Sequence, residues 1–149
     1  MSEYTENIAK KLNKLLEKNY DAEKGYKKAA ENVEMPGLKN YFERKSQERY
    51  NFGHELKNEL SRYGQKIDKG GSAAGSLHRA WMDIKAALSS NSEESMLEEA
   101  IRGEKASVEE YNEVINDSSV PMSTKNILMS QRDKIQASLS TIKRLEDLQ

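Results

Sequence analysis

Apolar residues recur every three or four positions along four long stretches of this chain, a spacing that keeps side chains on one face of an α-helix. The first stretch shows the pattern, with Ile8, Leu12 and Leu15 followed by Tyr26 and Val33 after a more polar middle. The pattern predicts four long helices, which run approximately over residues 5–33, 38–63, 93–116 and 124–148.

The connections between these helices differ in length, and the difference predicts how the helices pack. A turn around Pro36-Gly37 separates the first two helices, and a turn containing Pro121 separates the last two, so each pair should form an antiparallel hairpin. A longer connection over residues 64–92, rich in glycine and serine, joins the hairpins and includes a short predicted helix at 76–88. This arrangement predicts an all-α four-helix bundle that forms one domain over residues 1–149.

Two glutamates interrupt the apolar stripes at positions where a leucine is expected. Glu23 stands in the stripe of the first helix and Glu104 in that of the third, and each is followed by a tyrosine, Tyr26 or Tyr111. A buried acid is costly unless it is paired, hydrogen-bonded, protonated or bound to a metal. A weak repeat aligns Glu23-Lys24 with Glu104-Lys105, which predicts that the two acids face each other across a pseudo-twofold axis.

Composition narrows the function classes. The 149 residues are 33% charged and 36% hydrophobic, contain no cysteine and carry a formal net charge of −1. No disulfide, thiolate metal site or cysteine nucleophile can therefore form, and no overall basic field favours binding to nucleic acid or an anionic membrane. The chain shows no membrane-spanning stretch and no signal core at its start, so we expect a cytoplasmic protein.

Three short segments resemble a bacterial family: Glu23-Lys24-Gly25-Tyr26, the segment 75–82 (GSLHRAWM) and Arg102-Gly103-Glu104. They are similar to landmarks of ferritin-like four-helix-bundle proteins of uncharacterised function. Those proteins are related to YciF-type stress proteins and, distantly, to rubrerythrin and ferritin. The resemblance covers nearly the whole chain. It implies a ferritin-like bundle and a stress-associated bacterial role, and it brings no assigned activity.

Di-iron bundles of that class provide the test for a metal site. They take one glutamate from each of two helices and a Glu-x-x-His pair from each of the others. Glu23 and Glu104 fit the lone glutamates, but the stretches level with them, 46–49 and 131–136, contain no histidine. His54 lies further along the second helix and off its apolar stripe. The remaining metal option is a carboxylate site of Glu23, Glu104 and Glu48 holding iron or manganese.

Glutamine and arginine stand where the metal-ligating pairs are expected. Arginine stays charged when buried and presents several donors to a carboxylate. We therefore expect the two glutamates to meet a central polar network, whose further members are Gln47, Arg49, Gln131, Arg132, Tyr26 and Tyr111.

Two further features concern the crossover helix and the spacing of the long helices. His78 and Trp81 share one face of the predicted crossover helix and form a candidate ligand or partner site, or else pack at the edge of the core. Gly25 and Gly103 lie beside the central glutamates, where we expect the helices to approach closely.

These observations favour a non-enzymatic protein with no resident cofactor, which acts by binding or assembly and is a candidate homo-oligomer. The alternative is a metal-binding ferritin relative with a remodelled carboxylate centre.

Overall fold

The computed structural model of the chain describes residues 3–64 and 92–148. Four long helices dominate these ranges: α1 is Glu3–Glu31, α2 is Pro36–Arg62, α3 is Glu93–Ile115 and α4 is Met122–Thr141. A short 3₁₀ helix, Leu145–Leu148, follows α4. These two ranges contain no β-strand, so the prediction of an all-α bundle is confirmed.

The helix ends follow local sequence signals. Pro36 begins α2, where the amide of the first residue would have no partner within the helix, so proline loses no hydrogen bond there. Gly64 follows the end of α2 with a φ of 65°. Ser92 caps α3, because its side chain accepts a hydrogen bond from the Ser95 amide at 3.1 Å. The short predicted helix at 76–88 lies outside the described residues.

The fourth helix is shorter than its sequence pattern predicts. It ends at Thr141 rather than near Leu148, and Ile142 adopts an extended backbone. Residues 142–148 instead turn back toward the start of α2, where Leu148 reaches Gly37. The predicted end of α4 was therefore wrong, because packing on α2 overrides the helical pattern of this segment.

Buried apolar residues form two clusters at opposite ends of the bundle. The first contains Leu12 from α1, Leu56 from α2 and Leu128 from α4, together with the last turns of α3. The second contains the end of α1, the start of α2 and the start of α3, including Leu38 and Met96. A layer of polar side chains lies between the two clusters.

The membership of these clusters also gives the directions of the helices. α1 and α4 both start at the first cluster, whereas α2 and α3 both start at the second. Each hairpin is therefore antiparallel, as predicted, and α2 and α3 run in the same direction.

One expectation about helix spacing was wrong. A Cβ atom added to Gly103 would meet no atom within 4 Å, so no neighbouring helix approaches there.

Candidate functional site: a buried ion network

The polar layer is centred on Glu104, in the middle of α3. Its side chain is completely buried. The Tyr26 hydroxyl donates a hydrogen bond to Oε1. Oε2 lies 3.1 Å from Nη2 of Arg49 and 3.5 Å from Nζ of Lys45. Two cations and a phenol therefore surround one carboxylate.

Arg49 connects this carboxylate to the other helices. Its guanidinium is also fully buried, with Nη1 donating to Oδ1 of Asn19 at 2.9 Å and Nη2 donating to Oγ of Ser107 at 3.0 Å. Two buried atoms in the described ranges lack a hydrogen-bond partner, Nε of Arg49 and Oε2 of Glu104. The contact between the two residues is thus an ion pair whose geometry falls short of a hydrogen bond.

A chain of hydrogen bonds continues from Asn19 to the opposite side of the bundle. Nδ2 of Asn19 donates to the Tyr111 hydroxyl at 3.0 Å, and that hydroxyl donates to Oε1 of Gln131 at 2.5 Å. Nε2 of Gln131 then donates to exposed Glu55 at 3.1 Å. Lys45 extends the other side of the network, donating to half-buried Glu48 at 2.9 Å. All four helices contribute, and the network reaches the surface at both ends.

The surrounding charges keep Glu104 and Arg49 ionised. Burial alone raises the pKa of Glu104, but the positive charges of Arg49 and Lys45 and the Tyr26 hydrogen bond outweigh it, so the pKa is lowered. Burial likewise lowers the pKa of Arg49, yet the charge of Glu104 reverses the direction and raises it. Burial and the Glu104 charge raise the pKa of Tyr26, which therefore remains a neutral donor.

The groups around Glu104 leave its carboxylate no open side in the described residues. Both oxygens of Glu104 face donors of the chain, and two cations within 3.5 Å of Oε2 oppose the approach of a third. Within 3–64 and 92–148 no group of three or more His, Asp or Glu side chains is placed to hold a metal. The carboxylate ligand set of Glu23, Glu104 and Glu48 is thus not assembled in these ranges.

Five of the side chains predicted for the centre do meet there: Glu104, Arg49, Tyr26, Tyr111 and Gln131. What these five residues do in the function of the protein stays a prediction.

Three others lie elsewhere. Glu23 is only half buried and lines an outer groove of about 420 Å³ between α1 and α2. Gln47 is exposed and bonds to Asn51 one turn along its own helix. Arg132 donates to Asn112 on α3 at 2.8 Å and does not contact Glu104. The expected pairing of Glu23 with Glu104 across the centre is therefore absent.

The two histidines do not enter the described network. His54 is exposed and stacks edge-on against Tyr50 at 4.6 Å between ring centroids. The candidate crossover site of His78 and Trp81 lies outside the described residues.

Sequence reasoning missed three buried members of the network, Asn19, Lys45 and Ser107, and the exposed Glu55 at one end of it. Asn19 and Lys45 both stand on apolar stripes, so the same signal that identified Glu104 was present for them. Ser107 lies three residues after Glu104 and shares its helix face, but a serine so placed is too common to predict a partner.

A second buried acid, Glu59, joins the hairpins closer to the end of α2. Its Oε2 accepts a hydrogen bond from the Thr124 hydroxyl in the first turn of α4, and Tyr63 contacts the same hydroxyl at 2.6 Å. Arg62 lies 3.0 Å from Oε1. The first turn of a helix favours a negative charge, which helps to offset the burial of this carboxylate.

The fold and site define an all-helical four-helix bundle whose apolar core is divided by a buried ion network. The chain belongs to the family described as a domain of unknown function (DUF2383), whose model matches residues 7–117. The match spans α1, α2 and α3 and stops before α4. No curated protein matches the chain. Among the described helices, none combines the length and apolar character needed to cross a membrane.

Proposed function

We propose that this protein is a non-enzymatic, ferritin-like bundle that acts by binding or assembling with other molecules through its surface. In this proposal the ion network replaces the metal centre of metal-binding bundles and serves to join the two hairpins. The observation that carries it is the enclosure of Glu104, whose Oε1 accepts a hydrogen bond from Tyr26 and whose Oε2 forms ion pairs with Arg49 and Lys45. A catalytic or metal-binding carboxylate needs an open side, and this one has the chain's own groups on both oxygens.

Two observations support the ferritin-like part of the proposal. α2 and α3 run in the same direction, which is how bundles with one long crossover are connected. The segments around Glu23 and Glu104 resemble landmarks of ferritin-like bundle proteins that are related to YciF-type stress proteins. A stress-associated role in the bacterial cytoplasm follows from that resemblance and is part of the proposal.

Metal analysis provides the decisive test. The wild-type protein, purified without chelator, should contain only traces of iron and manganese, and added Fe(II) should oxidise no faster than in buffer. Glu104→Gln should change neither result, and exposed Glu98→Gln is the matched control on the same helix. Stoichiometric metal that is lost in Glu104→Gln and retained in Glu98→Gln would overturn the proposal in favour of a remodelled metal-binding bundle.

Assembly is tested separately. Light scattering over a range of protein concentrations should give a mass above that of one 17.0 kDa chain if the bundle forms a homo-oligomer. A monomer at every concentration would remove self-assembly from the proposal and leave binding of other partners.

A further inference from the structure

Residues 142–148, here called the strap, break away from α4 after Thr141, although their sequence has the spacing of a helix. The strap contains no glycine or proline, and its apolar residues Ile142, Leu145 and Leu148 continue the three-residue spacing begun at Leu139. At the end of α4 the Ile142 amide bonds to the carbonyl of Ser138 at 2.8 Å, and the hydroxyls of Ser140 and Thr141 donate to the carbonyls of Gln136 and Ala137, both at 3.1 Å. The sequence therefore favours one or two further turns of helix, whereas in the structure α4 ends at Thr141.

Tertiary contacts hold the strap in its observed position. Its three apolar side chains are half buried against the second apolar cluster, which contains Leu38 and Tyr41. The carboxylate of Asp147 accepts hydrogen bonds from the amides of Lys143 and Arg144, at 2.8 and 3.2 Å, and so closes the strap into a compact loop.

The strap contacts α2 closely at only one place, Gly37. A Cβ atom on Gly37 would collide with the carbonyl oxygen of Leu148 and lie 2.9 Å from its carbonyl carbon, both backbone atoms. Beside this contact an open groove of about 700 Å³ separates the strap from Asn40, Glu43, Arg44 and Gln47 on α2. The strap thus touches the bundle closely at one glycine and a few apolar side chains, with little else to retain it.

Disagreement between the local preference and the tertiary contacts of a segment reduces the free-energy difference between its two structures. We propose that the strap is a displaceable cover: docked, it shields the apolar cluster at the start of α2, and released, it continues α4 as a helix and exposes that cluster. The inference concerns a different part of the bundle from the ion network and is independent of the proposed function.

Gly37→Ala in the full chain is the direct test, because a methyl group there removes the space that Leu148 occupies. Alanine is otherwise favourable in the first turn of α2, so the bundle itself should keep its fold. The NMR Cα shifts of residues 142–148 should move toward helical values. Amide exchange at Lys143 and Arg144 should change at least tenfold, and binding of the dye ANS should increase. Gly103→Ala, where the methyl group meets nothing, should leave all three readouts at their wild-type values.

Asp147→Ala gives an independent second variant. It removes the acceptor that closes the docked loop without adding any atom near α2, so it should move the same signals in the same direction. The inference is overturned if the strap keeps its wild-type shifts in Gly37→Ala. It is also overturned if either variant unfolds the whole bundle, since strap and bundle would then not be separable.

Discussion

Among single residues, Glu104 and Arg49 show how a charge can remain in the middle of a helical core. Neither side chain has contact with water, yet each keeps its charge because the other lies 3.1 Å away and polar groups from α1 and α3 complete the surroundings. Such a pair adds little stability compared with a well-packed apolar core, but removing one member leaves the other charge uncompensated.

The lowered pKa of Glu104 predicts a pH-dependent contribution to stability. Since the folded pKa lies below the unfolded value of about 4.3, the unfolded chain binds more protons between the two values. The contribution is therefore complete above about pH 4.3 and is lost as the pH falls through the folded pKa. Glu104→Gln should lower the free energy of unfolding by about 3 kcal/mol at pH 7, and the difference from the wild type should become smaller below pH 4.

Urea unfolding at a series of pH values measures this difference. The free energy of unfolding of the exposed-site variant Glu98→Gln should equal that of the wild type at every pH. A difference for Glu104→Gln that stays constant down to about pH 2 would contradict the linkage argument.

Tyr111 tests the hydrogen-bonded arm of the network. Tyr111→Phe keeps the ring in the core but removes the hydroxyl that joins Asn19 to Gln131. The free energy of unfolding should fall by about 1–3 kcal/mol, because two buried amide groups each lose a partner. Tyr50→Phe, on the exposed face of α2, should change it by less than about 0.5 kcal/mol. Equal effects of the two substitutions would mean that the arm contributes nothing.

At this scale the sequence predicted the burial of Glu104 correctly, predicted that of Glu23 wrongly and did not predict that of Glu59. Glu23 was assigned to the stripe of α1, whereas the structure buries Ala22 instead. Positions three and four residues before Tyr26 both lie near its helix face, so spacing alone does not separate them. On the stripe of α3 no adjacent residue competes with Glu104 for its position, so the pattern alone predicted its burial.

For whole elements, glycines inside or at the ends of helices give the sharpest expectations. Gly103 lies within α3 and a methyl group there meets nothing, so Gly103→Ala should stabilise the protein by about 0.5–1 kcal/mol. Gly64 has a φ of 65°, where any side chain is strained, so Gly64→Ala should destabilise by about 1 kcal/mol. Thermal unfolding of both variants provides the comparison. Destabilisation by Gly103→Ala would reveal a contact that the fold as described lacks.

The starts of α2 and α3 were predictable because Pro36 and Ser92 are local signals. The end of α4 was not, because residues 139–148 contain no glycine or proline and keep the apolar spacing of a helix. The segment after α4 packs at Gly37, which is distant in sequence and becomes a neighbour only after the chain has folded. Sequence patterns thus predict elements well where their limits are encoded locally and fail where tertiary packing decides.

Across the whole molecule, the two hairpins are joined through the ion network as well as through apolar packing. Arg49→Met should destabilise the protein by about 3–5 kcal/mol, because Glu104 loses its closest cation. The double variant Arg49→Met/Glu104→Leu should recover most of this loss, since neither uncompensated charge remains. Denaturant unfolding of wild type, both single variants and the double variant completes the cycle. Additive losses would show that the two charges are not coupled.

The position of the network between two apolar clusters has a consequence for axial alignment. Leucine stripes repeat every turn, so two hairpins packed by leucines alone could slide by about 5.4 Å and still bury similar surface. Sliding by a turn would carry Glu104 away from Arg49 and Tyr26 and leave a charge in hydrocarbon. We therefore expect the double variant to be stable yet to populate several slipped alignments, visible as broadened or duplicated NMR resonances, while the wild type shows one. In this view the buried ions specify a single register between the hairpins, a property that measurements of stability alone do not detect.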